Sequence, residues 1–231
     1  MSRKIKAALI DMDGTLYDSM PNHARAWKRL SDLINVRAKE EEFFLYEGRT
    51  GADIINMLIR RELGRDATDI EKIGLYGLKA EYFTSQPPVK LMPGAKKMVA
   101  DLRSRGIETI LVTGSGQNSL LSRLEEDFPG AFPPEKRVTS ASVTHGKPSP
   151  EPFLKGLEIA NVAADEAIAI DNAPLGTRSA RDAGVFTIGV VTGPIPSDEL
   201  RNNGAHKVYG SMEACADDII NLINLLENTS L

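Results

Sequence analysis

Short apolar runs, each followed by a polar or glycine-rich turn and then a helical pattern, recur through the later part of the chain. Such runs are typical of strands, whereas apolar residues at every third or fourth position are typical of helices. The predicted strands are 6–10, 108–112, 137–139, 166–170 and 186–190, and the predicted helices between them are 94–105, 118–127, 151–159 and 175–183. This alternation indicates an α/β fold with a mostly parallel central sheet that is covered on both faces.

The stretch 19–88 interrupts this alternation, because its apolar residues follow helical spacing alone and prolines punctuate its end. We therefore expect a helical domain at 19–88, inserted into a core domain formed by 1–18 and 89–231. The segments 14–19 and 87–93 would then connect the two domains. Any closing motion of the helical domain should hinge at these connections.

The last part of the chain has the pattern of one further helix. Ser211 is suited to cap its N-terminus. The side chains expected to face inward are Met212, Cys215, Ile219, Leu222, Ile223 and Leu226. Cys215 is the only cysteine of the chain, which rules out a disulfide within it and favours a reducing compartment. We interpret Cys215 as a core side chain.

Length and charge narrow the classes of ligand and compartment. At 231 residues the chain is longer than one average domain and shorter than two, which favours a large core with an insertion. A formal net charge of -4 gives no basic footprint for nucleic acid. The first apolar run is too short for a signal sequence or a membrane span. We expect a cytoplasmic protein that binds neither nucleic acid nor membrane, and the sequence implies no partner protein.

Polar side chains follow the predicted strands at the points where each strand ends. They are Asp11 and Asp13 after the first strand, Thr113 after the second, Lys147 in a loop after the third, and Asp171 and Asn172 after the fourth. Ligands of parallel sheets bind at these carboxyl ends. Paired acids, a hydroxyl in a glycine turn and a lysine are the groups that handle a phosphoryl group and its metal ion. Each residue alone has a plainer interpretation as a turn, cap or solvated residue, but their common order favours a phosphoryl site.

Four segments carry a resemblance to a known family. "DMDGTLYDS", "VTGS", "GKPSPEPF" and "IDNAPLG" resemble the four ordered motifs of the haloacid dehalogenase superfamily of phosphohydrolases, over essentially the whole chain. The helical stretch is similar to the α-helical cap of that family, so the resemblance implies a Rossmann-like core with an inserted all-α cap. The chain is similar to the β-phosphoglucomutase-like branch. "YEGRTGADIINMLIRRELG" and "VTGSGQNSLLSRLEEDFPG" are similar to bacterial inorganic pyrophosphatases of that branch.

The resemblance implies a catalytic role for the paired acids and the glycine turn. Asp11 is the expected nucleophile that becomes an aspartyl phosphate, and Asp13 the acid that protonates the leaving group and later activates water. Thr113 and the amides of Gly114 and Ser115 are expected to hold the transferring phosphoryl group. The second aspartate argues against a mere phosphoacceptor, because a signalling module needs no positioned proton shuttle.

The implied cofactor is Mg²⁺, since the candidate ligands are oxygens and the sequence has no Cys or His cluster that would prefer zinc. The expected ligands are the Asp11 carboxylate, the Asp13 carbonyl, Asp171, Asn172 and Glu47. Relatives usually have two acids in the fourth motif. Because Asn172 is neutral, the implied set of metal ligands has one negative charge fewer here than in those relatives. Glu47, at the glycine turn of the cap, is the candidate replacement, and its alternative is an exposed acid at a helix end. As a metal ligand, Glu47 would occupy space that a bulky substrate needs, which favours a compact substrate such as pyrophosphate.

Basic side chains are the candidates for holding the charges of the substrate. Lys147 is expected to offset the negative charge of the nucleophile and the phosphoryl group together. His23, Arg49 and Lys79 are candidates for the leaving group, although a packed amphipathic helix also explains His23 and a solvated helix face also explains Lys79. The arginine with which β-phosphoglucomutases bind the distal phosphate aligns with Gly51, which argues against mutase activity.

These inferences predict an Mg²⁺-dependent phosphohydrolase that acts through an aspartyl phosphate on a small substrate, either inorganic pyrophosphate or a sugar phosphate. The alternative enzyme is a β-phosphoglucomutase-type hexose-phosphate mutase. A less favoured alternative is a non-catalytic module that binds or responds to phosphate. Dehalogenation requires different residues around the nucleophile, and the paired aspartates weigh against it.

Overall fold

Six short strands form one sheet in the computed structural model, which describes residues 4–228. They are β1 (Ala7–Ile10), β2 (Glu108–Val112), β3 (Arg137–Val138), β4 (Ala167–Asp171), β5 (Phe186–Val190) and β6 (Lys207–Tyr209). Their order is β3-β2-β1-β4-β5-β6, and each pairing in the sheet is parallel. The predicted α/β fold is therefore confirmed, and the carboxyl ends of β2, β1 and β4 lie side by side at the centre of the sheet.

The α-helices, in chain order, are α1 (Met20–Leu33), α2 (Glu42–Leu45), α3 (Gly51–Leu63), α4 (Asp69–Thr84), α5 (Ala95–Ser104), α6 (Asn118–Leu121), α7 (Leu124–Asp127), α8 (Glu151–Ala160), α9 (Pro174–Asp182), α10 (Ser197–Asn202) and α11 (Met212–Asn228). Helices α5 and α11 cover one face of the sheet, and α8 and α9 cover the other. Successive side chains of a strand point to opposite faces. In β1, Ala8 and Ile10 accordingly pack in the cluster with α5 and α11, whereas Ala7 and Leu9 pack in the cluster with α8 and α9. This double burial explains the uninterrupted apolar run "AALI".

One sequence-based expectation about the elements was wrong, and two elements were not predicted. The expected helix 118–127 is two short helices, α6 and α7, and its apolar pattern looks continuous because Leu120 and Leu124, four positions apart, are both buried. The sequence analysis also missed β6 and α10. Strand β6 has three residues, of which only Tyr209 is buried, so its apolar pattern is too short to stand out.

The region between β1 and α5 contains helices α1 to α4 and no named strand in residues 19–88, all of which the structure describes. These helices share an apolar cluster that includes Trp27, Phe43 and Leu58. Thr68 caps α4 through a reciprocal pair of hydrogen bonds with Glu71, as a capping box does. The helical stretch thus has an apolar cluster of its own.

The two segments expected to act as hinges lie side by side. The Asp18 N–H donates to the Lys90 carbonyl at 2.9 Å, and the Met92 N–H donates to the Leu16 carbonyl at 2.9 Å. The domain boundaries and the closing motion stay predictions. Residues 1–3 and 229–231 of the predicted core domain lie outside the described residues.

The final helix follows the predicted pattern. The Ser211 hydroxyl accepts a 3.1 Å hydrogen bond from the Ala214 N–H at the start of α11. Of the six predicted side chains, five are buried and Leu226 is partly buried against the same cluster. Cys215 is a buried free thiol, which confirms it as a core side chain. Within residues 4–228, no helix combines the length and the apolar character that crossing a bilayer requires.

Candidate active site

Asp11 and Asp171 lie on either side of the Lys147 ammonium at the carboxyl ends of β1 and β4. Lys147 Nζ is 2.6 Å from Asp11 Oδ1 and 2.7 Å from Asp171 Oδ2, and all three side chains are buried. Burial raises the pKa of Asp11 to about 8, and the charges of Asp171 and Asp13 act in the same direction, against Lys147. Burial opposes the charge of Lys147, but the two carboxylates outweigh it and raise its pKa. Asp11 and Asp171 thus lie close together at the carboxyl ends of the parallel strands.

Asp13, two residues after Asp11, has its own set of partners. Its Oδ1 accepts a 2.6 Å hydrogen bond from the Ser19 hydroxyl and lies 2.9 Å from His23 Nε2. The Thr113 hydroxyl lies 3.5 Å from Oδ2. Burial alone would raise the pKa of Asp13, but the charge and hydrogen bond of His23 and the hydrogen bond from Ser19 lower it to about 2. Asp13 is therefore an ionised carboxylate that is held in place by a histidine and two hydroxyls.

Lys79 continues this chain of contacts into the helical region. Its Nζ lies 2.6 Å from His23 Nδ1, and 5.3 and 5.7 Å from the ring centroids of Trp27 and Tyr76. Lys79 is only 1% exposed, and within residues 4–228 no carboxylate forms an ion pair with it. Burial lowers the pKa of Lys79 to about 7, although the charge of Asp13 opposes this shift. Burial and the charge of Lys79 lower the pKa of His23. The solvated alternative for Lys79 is wrong.

Glu47 and Asn172 join the helical region to the core. Asn172 Nδ2 donates a 2.9 Å hydrogen bond to Glu47 Oε1, and Asn172 Oδ1 accepts a 3.2 Å hydrogen bond from the Thr15 hydroxyl. Glu47 is buried, so the alternative of an exposed acid at a helix end is wrong. Burial raises the pKa of Glu47 well above its ordinary value, and the nearby charge of Asp11 adds to the shift.

The chemistry of these groups fits a hard divalent cation. Within the described residues, Asp11 Oδ2 is buried and has no hydrogen-bond partner. The Asp11 and Asp171 carboxylates share the single ammonium of Lys147, whereas Glu47 is bonded to the neutral Asn172 amide, so these acids outnumber the cations that contact them. In residues 4–228 no three His, Cys, Asp or Glu side chains already converge as a metal-binding group. Lys147 bridges Asp11 and Asp171, and Asn172 is bonded to Glu47, so a cation would need these contacts to rearrange.

A cavity of about 50 Å³, which we call the front cavity, lies between the sheet edge and the helical region. The predicted residues that border it are Asp11, Asp13, Thr113, Gly114 and Ser115 of the core, and His23, Glu47, Arg49 and Lys79 of the helical region. The Thr113 hydroxyl accepts a 3.0 Å hydrogen bond from the Ser115 N–H, which shapes the glycine turn. Arg49 Nε is buried and has no hydrogen-bond partner within the described residues. The fold therefore brings the candidate phosphoryl and leaving-group residues to one small space.

The loop before α3 lies directly against the core and closes the front cavity. Gly48 has a φ of +90°, and a Cβ on it would lie 2.8 Å from Lys147 Cδ. A Cβ on Gly114 would lie 2.3 Å from the Gly48 carbonyl oxygen. Only glycines allow this approach at both positions, the first because its backbone is left-handed and the second because no space remains.

The sequence analysis missed Tyr76 and Ser19 as site residues. The Tyr76 hydroxyl accepts a 3.0 Å hydrogen bond from the Gly116 N–H of the core, and its ring borders the front cavity. Tyr76 lies three positions before Lys79 on α4, so helical spacing from that candidate would have found it. Ser19 is the last residue of the motif "DMDGTLYDS", and this position is the signal that could have identified it.

Comparison with known proteins agrees with this geometry. Residues 5–184 match the family of haloacid dehalogenase-like hydrolases. The chain belongs to this family. Hexitol phosphatase A of Escherichia coli (strain K12) is 30% identical to it over 91% of this chain and 93% of that protein. Beta-phosphoglucomutase of Bacillus subtilis (strain 168) is 25% identical over 82% of this chain and 84% of that protein.

A solved structure extends the likeness. It is described as "Putative beta-phosphoglucomutase from Bacteroides vulgatus" and is 41% identical, with a TM-score of 0.93 over 99% of this chain and 92% of that chain. These likenesses confirm the Rossmann-like core of the haloacid dehalogenase-like fold. Together with the family match they identify this hydrolase as an enzyme of the phosphatase type, similar to the β-phosphoglucomutase-like branch.

Proposed function

We propose that this haloacid dehalogenase-like hydrolase is an Mg²⁺-dependent phosphatase that hydrolyses a compact, highly charged phosphate. Inorganic pyrophosphate is the specific substrate we propose, and small sugar phosphates are the broader class. The observation that carries the proposal is the front cavity of about 50 Å³, which is bordered both by Asp11 and by Lys79, a buried lysine without a carboxylate partner in residues 4–228. A buried cation of this kind is stabilised by an anionic ligand.

The proposed reaction has two displacements at phosphorus. In the first, an Asp11 oxygen bonds to phosphorus, the bond from phosphorus to the leaving oxygen breaks, and Asp13 gives its proton to that oxygen. In the second, Asp13 takes a proton from water as the water oxygen bonds to phosphorus, and the bond from phosphorus to the Asp11 oxygen breaks, which releases phosphate and restores the Asp11 carboxylate. The pKa of Asp13 is about 2 without substrate. An anion that binds beside Asp13 raises this pKa, which makes the protonated form accessible for the first step.

The groups around phosphorus would stabilise the charge that develops there. Thr113 and the amides of Gly114 and Ser115 are suited to the phosphoryl oxygens. Lys147 stays charged between the two carboxylates and offsets their charge. Mg²⁺ would be held by Asp11, the Asp13 carbonyl, Asp171, Asn172 and Glu47. When bound, it neutralises negative charge on the phosphoryl oxygens.

The second phosphate of pyrophosphate would be held by the basic side chains of the helical region. His23, Arg49 and Lys79 border the front cavity opposite the acids of the core. Arg49 Nε, which has no partner among the described residues, is available as a donor to a phosphate oxygen. Glu47 and Tyr76 border the same cavity and restrict its size, which favours pyrophosphate over a hexose phosphate.

The test compares phosphate release from pyrophosphate and from β-glucose 1-phosphate, together with the formation of glucose 6-phosphate, with Mg²⁺ and with excess chelator. We expect a higher kcat/KM for pyrophosphate and loss of turnover with the chelator. Turnover that persists in chelator would contradict the role of Mg²⁺. Rapid formation of glucose 6-phosphate with little phosphate release would instead support a hexose-phosphate mutase. That second candidate is favoured by the names of the relatives from Bacillus subtilis and Bacteroides vulgatus.

A further inference from the structure

A second cavity lies behind the contact between Glu47 and Asn172. This rear cavity has a volume of about 120 Å³ and is bordered by the segment after β1, the start of α1, the end of α2 and the loop after β5. Glu47 borders both the front and the rear cavity, whereas Asn172 and Gly14 border only the rear one. The rear cavity therefore reaches two of the proposed metal ligands, Glu47 and Asn172, whereas Asp11 and Asp13 border the front cavity.

The two cavities differ in the charge of the side chains around them. The front cavity is bordered by His23, Arg49 and Lys79, which suit an anion. The rear cavity is bordered by the carboxylates of Asp18 and Glu47, and none of the described residues around it is Lys, Arg or His. Such a lining lowers the energy of a cation and repels a phosphate. The exposed position of Asp18 places one of these negative charges at the solvent side.

The front cavity is closed by the loop that contains Gly48, which lies directly against Gly114 and Lys147. A substrate that filled this cavity would block access to the metal ligands from the front. The loop after β5 is tied to the segment after β1, because the Thr192 hydroxyl donates a 2.6 Å hydrogen bond to the Gly14 carbonyl. This bond fixes the core side of the rear cavity, and Phe44 and Glu47 of the helical region form its other side.

We propose that the rear cavity is the passage through which the divalent cation enters and leaves the active site while the front cavity holds the anionic substrate. This inference rests on the metal site of the proposed function and adds a route to it. Asp18 attracts the cation at the solvent side, and Glu47 receives it at the boundary between the two cavities. A bulkier side chain in the rear cavity should slow entry and exit of the cation to the same extent and leave its affinity unchanged.

The test uses Mn²⁺ as the probe and the purified full chain. Free Mn²⁺ is measured at equilibrium by electron paramagnetic resonance, and its release is followed by stopped-flow mixing with a chelating dye. Ile195→Phe narrows the rear cavity, which Ile195 borders. Leu45→Phe adds the same bulk at an exposed position of α2 and is the matched control. We expect Ile195→Phe to lower both rate constants about 5-fold or more with an unchanged Kd, and Leu45→Phe to behave as wild type.

A second variant tests the charge without filling the cavity. Asp18→Asn removes a carboxylate from an exposed position, where the change leaves the core intact. Asp198→Asn removes another exposed carboxylate, from α10, and is the control. We expect Asp18→Asn, but not Asp198→Asn, to slow Mn²⁺ association about 2- to 5-fold. The association rate constant of Asp18→Asn should also depend less on ionic strength than that of the wild type. If Ile195→Phe and Asp18→Asn both bind Mn²⁺ and exchange it at wild-type rates, the proposed passage is wrong, whereas the proposed function is unaffected. Absence of Mn²⁺ binding to the wild type would overturn both.

Discussion

Asn172, which follows β4, donates a 2.9 Å hydrogen bond to Glu47, which precedes α3, so the core and the helical region are joined by an amide and a carboxylate. Asn172→Asp replaces the amide donor by a second carboxylate in a buried place. We expect this variant to be about 1–3 kcal/mol less stable than wild type without metal, because two buried acids then face each other. With Mg²⁺ we expect the loss to be recovered, since the added acid is a stronger ligand than an amide.

The measurement is urea unfolding with and without Mg²⁺, together with calorimetric titration of the metal. Asn202→Asp adds the same charge at an exposed position of α10 and serves as the control. Equal free energies of unfolding for metal-free Asn172→Asp and Asn202→Asp would show that the contact between Asn172 and Glu47 does not stabilise the protein.

Lys147 is the cation that separates Asp11 from Asp171. Lys147→Met leaves two buried carboxylates without their partner, which typically costs about 3–5 kcal/mol of stability. The same change removes a preorganised positive charge from the phosphoryl site, so we expect kcat to fall by about 10²- to 10³-fold. Unfolding in urea and steady-state phosphate release measure the two effects. Lys96→Met, at an exposed position of α5, should change neither quantity, and unaltered turnover in Lys147→Met would contradict the proposed mechanism.

Lys79 makes the stability of the fold depend on pH. Its pKa is about 7 in the folded protein, against 10.5 as the ordinary value, so between these values the unfolded chain binds more protons. The free energy of unfolding of the wild type should therefore rise with pH from about 7 to about 10.5, as proton linkage requires. Lys79→Met removes this dependence, and we expect it to be about 1–3 kcal/mol more stable than wild type near pH 7.

Urea unfolding at several values between pH 7 and pH 9.5 measures this difference, which should shrink as the pH rises. Lys72→Met, on the same helix, replaces a more exposed lysine and is the control. We also expect Lys79→Met to raise KM for pyrophosphate, because the leaving phosphate loses a partner. Parallel stability curves for wild type and Lys79→Met would show that Lys79 keeps its ordinary pKa.

Strands β1, β2 and β4, which precede the site residues, could be predicted from sequence because each is an apolar run that is followed or ended by a polar residue. The positions of Asp11 and Asp171 followed from this pattern together with the rule that parallel strands end at one edge. The burial of Lys79 could not be predicted, since it depends on His23 and Trp27 of α1, a helix whose packing against α4 the local pattern does not show. The contact between Gly48 and Gly114 likewise depends on how the helical region packs on the core. Local periodicity contains no information about that packing.

Glu47 has two proposed roles, as a metal ligand and as a wall of the front cavity, and two substitutions separate them. Glu47→Gln keeps the size of the side chain and removes its charge, whereas Glu47→Ala removes both. We expect both variants to bind Mg²⁺ more weakly and to hydrolyse pyrophosphate more slowly, because each loses a carboxylate ligand. Only Glu47→Ala should raise kcat/KM for sugar phosphates relative to pyrophosphate, since only it enlarges the cavity. A substrate panel at saturating Mg²⁺ measures this ratio. The same ratio in both variants would mean that charge, and not space, selects the substrate at this position.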